Sequence, residues 1–319
     1  MQAIDNSVFL EEAITRETAA INRIIVERLK DWDQWARPVQ ETREMRARGE
    51  GPFPLGQKSE RAETLTIERH GGKVELRIIS PERPRGAFLH IHGGGWVFGS
   101  AQYQDPYFER LAANCGIACV SVEYRLAPEN PYPAANDDCE AAALWLAENA
   151  ARRFGCETLL IGGESAGAHL CVTTLLRLRD RHGLTPFRGA VLNAGMYDLT
   201  LTPSVRNWGT EKLILNTRDI ETFVGMYAPE VSLRDQPDLS PLYADLNNMP
   251  AAQFIVGTRD PLLDDSLFMA ERWRVAGNSV DLAPFPGGAH VFTAFAGQLQ
   301  RDGLARIEAF ICERLESQS

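Results

Sequence analysis

Cysteine is scarce in this chain of 319 residues: six are present, at Cys115, Cys119, Cys139, Cys156, Cys171 and Cys312, and none forms a C-x-x-C pair or clusters with histidine. This excludes a zinc site and a disulfide framework, and it predicts reduced, mostly buried thiols. Long apolar stretches are also missing, since no run approaches the ~18 apolar residues of a membrane span. Residues Met1 to Arg23 carry Asp5, Glu11, Glu12 and Glu17 where a signal peptide would need an unbroken apolar centre. A cytoplasmic protein without a membrane partner is expected. Basic charge is in deficit, with 33 Lys and Arg against 43 Asp and Glu for a net charge of −10. Such a surface repels phosphate backbones and anionic lipid, so a nucleic-acid partner is excluded, whereas a neutral small-molecule substrate needs no electrostatic steering.

What is present is ordinary globular material: 44% hydrophobic and 24% charged residues, enough to bury a sizeable core. The length suits one large domain with additions or two ordinary ones. Apolar residues recur at helical steps from Phe9 to Leu29, and the glycines and prolines from Gly49 to Gly56 then predict an irregular arm up to about Ser59. Leu65 to Arg69 and Val74 to Ile79 flank His70-Gly71-Gly72, the pattern of a β-hairpin. From there short apolar runs (Ala87 to Ile91, Ile117 to Val122, Thr158 to Ile161, Ala190 to Leu192, Phe254 to Val256, Val280 to Pro284) alternate with helical patterns (Asn136 to Phe154, Ala166 to Arg181, Ser266 to Ala276, Gln298 to Leu315). That alternation predicts an α/β fold with parallel strands joined by helices. The interval Leu199 to Met249 is far longer than a crossover needs and reads as an insertion.

Gly163-Glu164-Ser165-Ala166-Gly167 is a G-x-S-x-G sequence lying between a predicted strand and a predicted helix, the context a nucleophile elbow requires. A serine hydroxyl is a weak nucleophile at neutral pH and needs a histidine base oriented by a carboxylate. Of the six histidines, His290 stands in a glycine loop after the last predicted strand, where its imidazole can swing over the sheet's carboxyl edge. Asp260 follows a strand and its turn; Asp198, Asp264 and Asp265 are rivals with structural roles available, as a turn former and as helix N-terminal acids. The order Ser165, Asp260, His290 is that of α/β-hydrolases. His92-Gly93-Gly94-Gly95-Trp96 ends an earlier strand, and three consecutive glycines let backbone N–H groups turn towards an oxyanion. His92 is expected to order that loop rather than act as a base.

These motifs, with Tyr124-Arg125-Leu126-Ala127-Pro128-Glu129 and Asp260-Pro261-Leu262-Leu263-Asp264, resemble the hormone-sensitive-lipase-like (family IV) carboxylesterases from about Ala62 onward. The resemblance implies an α/β-hydrolase fold with a mostly parallel eight-stranded sheet and a helical cap built from residues 1–58 and 199–249, around a catalytic domain of 59–198 and 250–319. It implies Ser165 as nucleophile, Asp260 as acid, His290 as base and the N–H groups of Gly94, Gly95 and Ala166 as oxyanion donors, supported by His92, Gly93 and Glu164. The expected activity is hydrolysis of short- to medium-chain acyl esters, with no metal or cofactor, in a possible homodimer. Glu164, Val291 and Ala168-His169 depart from the family's usual residues, and the elbow also resembles that of kynurenine formamidases. An amidase or arylformamidase, or a non-catalytic receptor of the same fold, are therefore the alternatives. The aromatics Trp32, Trp35, Trp208, Phe223 and Tyr227 are expected mostly to pack the cap.

Overall fold

The computed structural model describes residues 5–69 and 71–316. His70, placed by the sequence in a hairpin turn, lies outside the described residues, as do Met1 to Ile4. Eight strands form one sheet: β1 (Glu63–Arg69), β2 (Gly72–Ile79), β3 (Gly86–Ile91), β4 (Ile117–Glu123), β5 (Leu159–Glu164), β6 (Phe187–Asn193), β7 (Ala251–Gly257) and β8 (Val280–Phe285). Their spatial order is β1-β2-β4-β3-β5-β6-β7-β8, with β2 antiparallel to both neighbours and all later pairs parallel. The central strands are buried on both faces, and for this reason they read as continuous apolar runs rather than as alternation.

Among the described residues are nine α-helices, besides six short 3-10 turns: α1 (Arg16–Leu29), α2 (Val39–Ala47), α3 (Asp105–Cys115), α4 (Ala134–Phe154), α5 (Ala166–His182), α6 (Pro203–Trp208), α7 (Thr217–Tyr227), α8 (Leu263–Val275) and α9 (Gln298–Glu316). Helices α3 and α9 cover one face of the sheet, where Phe108 and Ile311 meet Phe88 and Leu160. Helices α4, α5 and α8 cover the other, where Leu146, Val172 and Trp273 meet Leu89, Ile161 and Phe254. None of the helices among the described residues is long and apolar enough to cross a membrane.

Three expectations need correction. The first helix begins at Arg16 rather than Phe9, because Thr15 in extended conformation caps it by accepting the Thr18 N–H at 3.1 Å. The expected irregular arm contains α2, whose Thr42 is buried and donates to the Gln34 carbonyl. Helix α3 was not anticipated at all; its buried Asp105 pairs with Arg77 of β2. The N-terminal segment and the long insertion meet directly. Asp219 of α7 accepts from the Trp35 indole at 2.7 Å and from the Gln34 amide at 3.1 Å.

Candidate active site

Strand β5 runs past Ile161 to Glu164, and α5 starts at Ala166, so Ser165 alone makes the turn between them. Its φ of 55° and ψ of −121° are costly for a residue with a Cβ, of the order of 1–3 kcal/mol, and project the hydroxyl above the sheet's carboxyl edge. The turn closes only because its flanks are glycine. A Cβ at Gly167 would stand 1.9 Å from the Ile91 carbonyl oxygen.

The structure brings the three triad candidates together. His290 Nε2 lies 2.9 Å from Ser165 Oγ, and His290 Nδ1 lies 2.9 and 3.0 Å from the two carboxylate oxygens of Asp260. Both partners behind the serine are buried, His290 at 4% and Asp260 at 1% exposure, so the ion-pairing they can develop is shielded from water. The carboxylate is steadied by the Leu262 N–H at 2.8 Å. Each rival acid is engaged elsewhere. Asp265 accepts from the Tyr197 and Asp198 N–H groups and the Thr202 hydroxyl, Asp264 from the Ser204 N–H, and Asp198 from the N–H and hydroxyl of Thr200.

The glycine loop after β3 faces the serine. Gly94 has φ +120° and Gly95 φ +61°, and a Cβ at Gly94 would meet the Phe98 carbonyl oxygen at 2.2 Å, so only glycine follows this path. No acceptor among the described residues takes the N–H of Gly94, Gly95 or Ala166, whereas the Gly93 N–H is used by Glu164 Oε1 at 2.6 Å. The donors at 94, 95 and 166 are thus available to an oxyanion. His92 lies buried, stacked on Tyr124 at 4.2 Å with its backbone carbonyl accepting from the Tyr124 hydroxyl, and burial pushes its imidazole below the usual range. It orders the loop.

Serine, histidine and glycine loop open onto a cavity of about 390 Å³, walled by Trp32, Phe53, Met196, Ile214, Leu215, Phe223 and Phe295 among others. Of the five cap aromatics, Trp32 and Phe223 line it. Tyr227 instead stacks on Trp96 at 4.4 Å.

Comparison with known proteins fits this arrangement. Residues 88–294 match the model of a family with the alpha/beta hydrolase fold. The chain is 32% identical to the ethyl acetate hydrolase of Pseudomonas putida over 70% of its own length and 73% of that enzyme's. This chain belongs to the α/β-hydrolase family, in its hormone-sensitive-lipase-like branch. The chain is also 35% identical to carboxylesterase NlhH of Mycobacterium tuberculosis over 65% of its length, a match spanning 66% of that relative, just under two thirds. Among solved structures, an esterase of Pyrobaculum calidifontis superposes with a TM-score of 0.81 at 29% identity, covering 91% of this chain and 97% of that one. An esterase from the bacterial hormone-sensitive lipase family gives 0.80 at 28% identity, covering 95% and 99%.

Sequence reasoning missed the bracing of this hydrolase's glycine loop. Besides the Gly93 N–H, Glu164 takes the Gln104 amide at 3.0 Å and contacts His90 Nε2 at 2.9 Å, so three elements converge on one carboxylate. The one polar residue within an otherwise apolar β3, His90, was the available signal. His169, which the sequence marks only as a departure from the family's usual residue, has a bracing role of the same kind. It accepts from the Trp96 indole at 3.2 Å through Nδ1 and donates through Nε2 to the Leu239 carbonyl at 2.8 Å.

Proposed function

We propose that this hydrolase is a serine carboxylesterase that cleaves short- to medium-chain acyl esters through an acyl-enzyme intermediate. Its relatives are named carboxylesterase, esterase and ethyl acetate hydrolase, all hydrolases of carboxylic esters. The observation that carries the mechanism is the continuous Ser165–His290–Asp260 hydrogen-bonded chain beneath three unused N–H groups. His290 takes the Ser165 proton as Oγ bonds to the ester carbonyl, and Asp260 stabilises the imidazolium. The N–H groups of Gly94, Gly95 and Ala166 receive the oxyanion, each such donor contributing ~2.7–4 kcal/mol of barrier lowering. The alcohol leaves with the proton from His290, and a water deprotonated by His290 then releases the acid. A cavity of about 390 Å³ suits a short or medium acyl chain rather than a triglyceride.

Residues 1–58 and 199–249 serve as the cap that selects the substrate, and a cytoplasmic homodimer formed through the exposed edge of β8 belongs to the same reading. The elbow sequence with Glu164 and Ala168-His169 favours one second reading, amide or formamide cleavage by the same machinery; matched esters and anilides separate the two. The central test is Ser165→Ala. The variant is expected to fold and to lose p-nitrophenyl butyrate turnover by more than about 10⁴-fold; turnover near the wild-type level contradicts the assignment.

A further inference from the structure

The cavity that holds Ser165 is not lined by apolar groups alone. Arg46 of α2 reaches its wall, with the guanidinium 4.3 Å over the Phe98 ring and Nη2 donating to Gln34 Oε1 at 2.7 Å. No carboxylate pairs with it among the described residues, and neither Nε nor Nη1 has an acceptor. The nearest buried acid, Asp219, is already engaged by Gln34, Trp35 and Lys212, the last at 3.5 Å. With Glu164 and Asp219 against Arg46 and Lys212 the formal charges around the cavity balance, but no carboxylate among the described residues pairs directly with Arg46. Glu164 also lines the wall, but its oxygens are taken by Gly93, Gln104 and His90. Burial pushes the Arg46 guanidinium down to about 10, as befits a cation short of a partner, and it stays charged at neutral pH.

Two further donors point the same way. The Trp32 indole carries a buried Nε1–H with no acceptor, and the Tyr103 hydroxyl makes no hydrogen bond to any described residue; both residues line this cavity. A half-buried set of unmatched donors around a guanidinium with no carboxylate partner suits an anionic acceptor, and a guanidinium fork fits a carboxylate.

We propose that Arg46, with Tyr103 and Trp32, forms a carboxylate subsite, and that the preferred substrates are esters carrying a free carboxylate on the acyl or the alcohol part. The proposal rests on the esterase reading and departs from the neutral substrate expected on overall charge. An unpaired guanidinium acts at contact range, whereas the diffuse net −10 is screened beyond about 10 Å.

The test compares kcat/KM for mono-4-nitrophenyl adipate and 4-nitrophenyl hexanoate (acyl side), and for 4-butyryloxybenzoate and phenyl butyrate (alcohol side), in wild type, Arg46→Met, Arg46→Lys and Tyr103→Phe. One acidic ester is expected to exceed its neutral match by at least about tenfold, a charge-assisted hydrogen bond's worth. Arg46→Met should bring that ratio to near one, Arg46→Lys should keep part of it, and the favoured pair tells which side bears the carboxylate. A merely structural Arg46 would move acidic and neutral esters together. Hydrolysis of neutral esters with no acidic preference, or a preference that survives Arg46→Met, overturns the subsite and leaves the esterase standing. Calorimetry of Ser165→Ala with monomethyl adipate reads the subsite without catalysis. Binding that weakens about tenfold on adding Arg46→Met supports it even if no ester is cleaved, and binding indifferent to Arg46 overturns it.

Discussion

A serine hydroxyl ionises no more readily than any alcohol, so in the proposed triad the reactivity of Ser165 would depend on His290, and His290 on Asp260 to keep its Nε2 free of a proton and aimed at the serine. Asp260→Asn is expected to lower kcat by about 10³–10⁴-fold, since an amide presents the wrong partner to Nδ1. Asp264→Asn should change it by no more than about threefold, because Asp264 serves only the Ser204 N–H. Steady-state kinetics on one ester checks both, and reversed effects would reassign the acid. Glu164 acts at one remove. Its removal in Glu164→Ala frees the Gly93 N–H and the Gln104 amide, so the glycine loop loses its brace. The expected result is a fall in kcat of roughly 10–100-fold with a smaller change in KM, the signature of transition-state rather than ground-state loss. The residues of the proposed triad and the glycine loop facing it were legible in the sequence because each sits at a strand end marked by glycine. Glu164's partners were not, because Gln104 lies on a different stretch of chain and only the fold brings it near.

At the scale of elements, His169 joins the nucleophile helix α5 to the glycine loop through Trp96 and to the insertion through Leu239. The Trp96 contact needs a neutral imidazole, since Nδ1 accepts there, and burial pushes His169 from 6.5 down to about 4 against the opposing pull of the Leu239 carbonyl. A depressed histidine value means that the unfolded chain binds the proton first. Its contribution is therefore fully present above pH 6.5, declines as pH falls from 6.5 to about 4, and is flat below that, up to a limit of about 3 kcal/mol. Urea midpoints measured at pH 7 and 4.5 should drop more for wild type than for His169→Asn, whose amide does not titrate; an equal drop contradicts this reading. Elements themselves were read unevenly. The strands from β3 to β8 announce themselves as apolar runs, and α9 by its Leu304, Ile307 and Ile311 stripe. Helix α2 has few apolar residues of its own and is held by contacts such as Thr42 to Gln34 and Arg43 to the Val97 and Ala127 carbonyls, which no local pattern reports.

Over the whole molecule, the sheet's carboxyl edge holds the proposed catalytic groups, and the cavity above them is walled in part by the N-terminal segment and the insertion. The alternation of strands and helices made the α/β class readable, and the excess length between β6 and β7 marked the insertion. That the N-terminal segment docks on that insertion through Trp35 and Asp219 was not derivable from either segment alone, since the pairing spans 184 residues of sequence. The central claim is that this assembly activates one hydroxyl among many. Treating the protein with a 4-nitrophenyl alkylphosphonate, which bonds phosphorus to an activated serine oxygen as nitrophenolate leaves, and then mapping the modified peptide by mass spectrometry measures that most directly. One adduct per chain on Ser165, absent from His290→Ala, is the predicted result; no adduct, or an adduct on another residue, contradicts it.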